Sequence, residues 1–188
     1  SNWNGLKLLN SKGEFLSKTE GEEVFSFSLN TAHKTDYTGS IRTMNYLDQH
    51  ISSILRLDEV DTQGVEKRAF KIVIDGINSS GGVYVPYLLH KMGVETIELN
   101  CVPDGNFTHN PEPIPENLKD LCDKVKTCQA DLGIAVDPDV DRLVLVCEDG
   151  TFFGEEYTIV AIAKYILSKY PNSSVVSNLS TTRAVKDI

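Results

Sequence analysis

Asp131 to Gly150 reads DLGIAVDPDVDRLVLVCEDG, two apolar runs on either side of a turn that carries Asp137, Asp139 and Asp141. The runs Leu132–Val136 and Leu143–Cys147 are short, unbroken and rich in Val, Ile and Leu, which predicts two strands of a sheet covered on both faces. The aspartates then lie on the loop between those strands. Carboxylates at i, i+2 and i+4, bent by Pro138, turn their oxygens inward together, and such crowded negative charges repel one another unless a cation sits among them. Oxygen-only ligands select a hard ion, Mg²⁺ first.

Three plainer or rival readings make further demands. An EF-hand would use the same three aspartates and would find Glu148 at its twelfth position, but Arg142 stands where that loop needs glycine, and strands flank it where helices should. A dehalogenase-type phosphatase places an aspartate pair followed by threonine after its first strand; here a third aspartate takes that place and most of the chain comes first. An acidic turn that is merely solvated remains the bland alternative, weakened by a third aspartate followed at once by arginine.

The loop Asp137-Pro-Asp-Val-Asp-Arg142 resembles the metal-binding loop of the α-D-phosphohexomutases, the phosphoglucomutase/phosphomannomutase superfamily, whose pattern is Asp-Gly-Asp-Gly-Asp-Arg or Asp-Pro-Asp-x-Asp-Arg. Three other stretches agree. Asn4-Gly5-Leu6-Lys7 is similar to the family's Asn-Gly-x-Lys, which follows its phosphorylated serine by a few residues. Asp75-Gly-Ile-Asn-Ser-Ser-Gly-Gly82 resembles the turn that opens the family's second domain. Cys101 to Pro115, CVPDGNFTHNPEPIP, is similar to Gly-x-Phe-x-x-His-x-Pro-x-Pro, departing from it in the spacing around Phe107, His109, Pro111 and Pro113. His109 reads as a loop histidine satisfied by neighbours more readily than as a ligand.

Composition is that of an ordinary soluble globular protein. The 188 residues carry a net charge of −9, the sequence pI is about 4.9, and no Lys/Arg cluster offers a footprint for nucleic acid or an anionic membrane. No apolar run is long enough to span a bilayer. Cys101, Cys122, Cys128 and Cys147 stand singly, which argues against zinc and predicts free thiols in a reducing cytoplasm.

The expected fold class is α/β, a mixed and largely parallel sheet with helices on both faces, plus a partial first domain. Phe70–Ile74 predicts a strand, Val83–Met92 a helix ended by Gly93, and Thr96–Leu99 a second strand, a βαβ unit whose strands run parallel. The glycine-rich turn lacks the spacing of a dinucleotide or Walker loop, so it reads as a tight strand-to-helix turn. A helix from Glu116 buries Leu118, Leu121, Cys122 and Val125, and one from Glu155 to Lys169 carries Ile159, Ile162, Ala163 and Ile166 on one face. Earlier, Leu6–Leu9 and Glu14–Leu16 predict a hairpin around Asn10–Gly13, and Met44, Leu47, Ile51, Ile54 and Leu55 an amphipathic helix. Pro171–Ser180 predicts a turn and a short strand, and Thr181–Ile188 the start of a helix.

The resemblance implies the end of a first domain in residues 1–68, a second domain with the metal loop in 69–168, and a passage into a third in 169–188. It implies interconversion of hexose 1-phosphate and hexose 6-phosphate through a phosphoserine and a bisphosphorylated sugar, an intramolecular phosphotransfer acting on phosphorylated hexoses in the cytoplasm. Asp137, Asp139 and Asp141 would hold Mg²⁺, while Arg142 and Lys7 would bring positive charge to the phosphoryl oxygens. A salt bridge is the simpler use of Arg142, and a solvated surface position that of Lys7. The family's serine loop is expected just before Asn4 and its third domain after Ile188, so the chain alone is expected to be inactive. A stand-alone metal-binding module and a metal-dependent phosphatase are the alternatives.

Overall fold

Strand β1, Lys71–Asp75, sits inside a four-stranded sheet ordered β2-β1-β3-β4, in which β2 is Glu95–Leu99, β3 is Leu132–Val136 and β4 is Leu143–Cys147. The structure is a computed structural model that describes residues 7–30 and 39–188. β1 pairs in parallel with β2 and β3, while β3 and β4 pair antiparallel. That last pairing follows from chain length, because residues 137–142 are too few to carry the crossover that parallel strands require.

The described residues fall into two compact units, Ser1–Met44 and Asn45–Ile188. In the first, Leu9 bridges Phe15 antiparallel across the turn at Asn10–Gly13, where Gly13 adopts φ 79°. Asn10 Oδ1 accepts from the backbone N–H of Lys12 and Glu14. Asn4, Gly5 and Leu6, on which the Asn-Gly-x-Lys reading and one expected strand end rest, lie outside the described residues. Helix α1, Lys18–Asn30, starts on a reciprocal cap: the Glu20 carboxylate accepts from Ser17 N–H at 2.7 Å and Ser17 Oγ accepts from Glu20 N–H at 3.3 Å. Hydrogen bonding from Ser17 holds the Glu20 carboxyl below its ordinary pKa.

Helices α2, Leu47–Ile54, and α3, Thr62–Arg68, lie in the second unit with the sheet. Helix α4, Gly81–Lys91, packs against α2. Ile51 of α2 is buried, His50 meets the Tyr84 ring edge-on at 5.8 Å, and the Tyr87 hydroxyl donates to Asp48. On this face Ile72 and Ile74 of β1 pack with Val85 and Leu89 of α4 and Val65 of α3.

Helix α5, Lys119–Cys128, covers the opposite face. Leu118, Leu121 and Val125 pack there on Val73, Ala135, Val144 and Val146, all buried. Full burial of one such aliphatic side chain stabilises by about 1.5–3 kcal/mol, so this face holds much of the unit's stability. Alternate residues of β1 thus serve opposite helices, as the period of a doubly covered strand requires. Gly133 sits under α5, where a Cβ would come within 2.8 Å of Val125 Cγ2.

Helix α6, Glu155–Lys169, follows β4. Its covered side is Val160, Ala163, Ile166 and Leu167, whereas Ile159 and Ile162, expected in the buried stripe, are exposed. Tyr165 Oη and Lys169 Nζ donate to the carbonyls of Glu59 and Asp58 at 2.7 and 2.8 Å, which fixes the helix's rotation. The strand expected within Pro171–Ser180 does not form: Val175 and Val176 are exposed and pair with no strand. A 3₁₀ turn at Arg183–Asp187 stands where a helix start was expected.

Candidate metal centre

Asp137, Asp139 and Asp141 converge as the loop between β3 and β4, with one carboxylate oxygen from each lying within 4.8 Å of the others. They are not equivalent. Asp137 is buried at the end of β3, and Asp139 and Asp141 are exposed. Asp137 Oδ1 accepts from the backbone N–H groups of Asp141 and Arg142, both at 3.0 Å, and Oδ2 accepts from Arg142 Nε at 3.1 Å. The loop therefore closes on its own first carboxylate, bringing Asp141 back towards it. Val140 takes φ 60° to make that closure. An all-oxygen set this compact, with one member buried and oriented, fits a hard divalent cation.

The strand-to-helix turn after β1 holds the loop from one side. Ser79 Oγ and Ser80 Oγ donate to the Pro138 carbonyl at 2.8 and 2.9 Å. The neighbouring glycines make the approach possible: a Cβ on Gly81 would collide with Val136, and one on Gly82 would lie 2.6 Å from Cys101 Cα. These glycines thus serve close packing, as the tight-turn reading requires.

The proline-rich loop holds it from the other side. Glu112, between buried Pro111 and Pro113, pairs with the outer nitrogens of Arg142, Nη1 at 2.5 Å and Nη2 at 3.4 Å. Hydrogen bonding to Glu112 first, and then to Asp137, raises the pKa of the guanidinium further above its already high value. Arg142 Nε also lies 3.8 Å from Asp141 Oδ1. His109 is satisfied within the same loop, its Nδ1 against the Asn110 carbonyl at 2.8 Å and its Nε2 against Asp75 Oδ2 at 3.0 Å. Asp75 is almost wholly buried and also accepts from Ile77 N–H and Asn100 Nδ2.

The structure thus assembles four of the five expected site residues, Asp137, Asp139, Asp141 and Arg142. Lys7 is an exposed residue of the first unit. Sequence reasoning did not single out Glu112, Ser79, Ser80 or Asp75 as partners of the site. A lone glutamate between prolines and two serines in a turn carry no periodic signal.

Comparison with known proteins then decides the family. A family profile described as phosphoglucomutase/phosphomannomutase, alpha/beta/alpha domain II, matches residues 46–150, more than half of the chain. The chain belongs to the phosphoglucomutase/phosphomannomutase family. It is 33% identical to a phosphoglucomutase/phosphomannomutase of Thermococcus kodakarensis, over 99% of this chain and 41% of that relative. A probable phosphoglucosamine mutase of Methanopyrus kandleri is 34% identical over the same shares, 99% and 41%. The crystal structure of a phosphoglucomutase/phosphomannomutase family protein from Burkholderia thailandensis superposes with a TM-score of 0.74 at 27% identity, covering 92% of this chain and 37% of that one. The fold is shared as well with a putative phosphomannomutase of Thermus thermophilus, TM-score 0.77 at 20% identity, covering 93% of this chain and 40% of that one. The chain therefore spans about two fifths of the length of these relatives, and within the phosphohexomutase frame its matched part is domain II. Among the described residues no helix is long and apolar enough to cross a membrane.

Proposed function

We propose that this chain is the metal-binding part of a phosphohexomutase that interconverts hexose 1-phosphate and hexose 6-phosphate in the cytoplasm, by way of a phosphoserine and a bisphosphorylated sugar. The observation that carries the reading is the convergence of Asp137, Asp139 and Asp141 within 4.8 Å, on the domain matched by the family profile. Asp137, Asp139 and Asp141 hold Mg²⁺. When bound, the ion supplies Lewis-acid charge at a phosphoryl oxygen.

The protein's own groups do the rest by position and charge, which is what phosphoryl transfer chiefly requires. Asp137, oriented by two backbone N–H groups, fixes the first ligand before any ion arrives, so little ordering remains to oppose binding. Arg142 is held by its Nε against Asp137, which directs its planar fork outward to meet phosphoryl oxygens in two directions at once. Lys7, in the Asn-Gly-x-Lys sequence, brings a second positive charge to the transferring group. Substrates are phosphorylated hexoses and the hexose bisphosphate.

Isothermal titration of Mg²⁺ into the chain and into Asp139→Ala tests the site. Weak binding that is lost in the variant is expected, followed by mutase turnover from hexose 1-phosphate in the full-length protein. Mg²⁺ binding of equal strength in both proteins sinks the aspartate assignment, and full-length protein that binds the ion yet moves no phosphoryl group sinks the mutase reading.

A further inference from the structure

The guanidinium of Arg142 has two edges in different circumstances. The inner edge, Nε, lies on Asp137, whose side chain is only 3% exposed. The outer edge, Nη1 and Nη2, lies on Glu112, and both of these side chains are 41% exposed. An ion pair to a buried carboxylate is expensive to break, because an uncompensated charge stays behind in low dielectric. An ion pair between exposed groups costs little to exchange, since water solvates both halves when they part. The arginine is therefore anchored along one edge and exchangeable along the other.

Glu112 is also built to let go without moving its loop. Its flanking prolines are buried and its own carbonyl accepts from Asn117 Nδ2 at 2.8 Å, so the backbone is fixed and only the side chain need swing away. A carboxylate and a phosphoryl group present the same pair of acceptor oxygens to a guanidinium fork.

We propose that Glu112 is a place-holder on Arg142, occupying the outer edge of the guanidinium until a phosphoryl group displaces it. The proposal rests on the reading that Arg142 meets phosphoryl oxygens. In the resting protein the pair keeps the fork directed outward. On binding, the phosphoryl dianion takes both outer nitrogens and the Glu112 carboxylate returns to water. Glu112 is thus a positioning residue that lowers phosphate affinity in exchange for a preset arginine.

The test titrates inorganic phosphate at fixed Mg²⁺ into the ¹⁵N-labelled chain and follows by NMR the backbone amide signals of residues 137–142 in every protein, and the Arg142 Nε–Hε signal wherever the arginine is present. Phosphate shifts that signal in the wild type, and Arg142→Gln binds phosphate weakly. Glu112→Gln binds about threefold tighter, the worth of one exposed ion pair. Glu112→Asp binds tighter by a similar factor, because it keeps the negative charge but is one methylene too short to reach the fork from a fixed backbone. Tighter binding by Glu112→Gln alone would mean that only the local charge matters, and it overturns the place-holder. Weaker binding by both Glu112 variants overturns it too, making Glu112 a plain support. Phosphate binding unchanged in Arg142→Gln brings down the phosphoryl reading of Arg142 itself, a result distinct from either.

Discussion

Arg142 grips Asp137 twice, with its backbone N–H on Oδ1 at 3.0 Å and its Nε on Oδ2 at 3.1 Å. The first carboxylate of the trio is therefore part of the fold as well as of the site. Asp137→Ala strands the N–H groups of Asp141 and Arg142 beside a buried void, at a cost of about 2–3 kcal/mol. Asp139→Ala, at an exposed position, changes metal-free stability by no more than about 0.5 kcal/mol. Urea denaturation without metal should separate the two variants, although both lose Mg²⁺ affinity. Equal destabilisation would show that the loop is not organised around Asp137.

Asp75 and His109 make the equivalent tie beneath the proline-rich loop. The Asp75 carboxylate accepts from Ile77 N–H at 3.0 Å and from Asn100 Nδ2 at 3.1 Å, and faces His109 Nε2. Asp75→Asn puts an NH₂ among groups that need an acceptor, so a loss of about 2–3 kcal/mol is expected. His109→Ala leaves the other two donors satisfied and costs less, about 1 kcal/mol, the value of one net hydrogen bond. Thermal unfolding of the two variants gives the order, and a reversed order would place the loop's anchor at His109.

Much of this was legible in residues 131–150 because two signals coincide there. Buried strands leave unbroken apolar runs, and β3 and β4 occupy the very residues of the two runs. The three aspartates between them stand on alternate residues and are followed at once by Arg142, a second pattern on the same loop. Elsewhere a single signal admitted two answers. In α6 the sets Ile159, Ile162, Ala163, Ile166 and Val160, Ala163, Ile166, Leu167 both obey helical spacing, and only tertiary contacts such as Tyr165 on the Glu59 carbonyl choose between them. Val175-Val176 has strand-like composition, but composition cannot supply an adjacent edge to pair with. Glu112 was illegible for a related reason: its partner Arg142 is 30 residues away in sequence, and only the fold brings them together.

Val140 is a β-branched residue at φ 60°, in the left-handed region that its side chain resists. That conformation costs a non-glycine residue about 1–2 kcal/mol, and glycine's greater freedom in the unfolded chain takes back about 0.5–1 kcal/mol. Val140 is 39% exposed, so little packing is lost with its side chain. Val140→Gly, which restores the glycine of the family's other loop form, should stabilise the protein by about 0.5–1 kcal/mol in urea. Destabilisation instead would mean that what packing the valine side chain keeps outweighs its backbone strain.

Cys101 carries a pH dependence of its own. Burial, the largest cause, pushes its thiol up from 9.0 to about 11, with Glu98 and Asp75 adding in the same direction through their charges. The thiol donates to the Leu99 carbonyl at 3.1 Å, a bond that the thiolate cannot make. With the folded pKa above the unfolded one, the unfolded chain gives up its proton first as pH rises. The contribution is fully present below pH 9 and is lost as pH climbs through about 11. Stability should therefore fall faster between these values in the wild type than in Cys101→Ala, whatever the offset between the two proteins at pH 7. Lysines and tyrosines that titrate in the same range act on both proteins alike, so the difference in slope isolates the thiol. Alkylation by iodoacetamide at pH 8 gives an independent reading, since the thiolate is the nucleophile. Cys101 should react far more slowly than the same cysteine in the urea-unfolded chain. Parallel stability curves together with rapid alkylation would show that the thiol is neither shielded nor shifted.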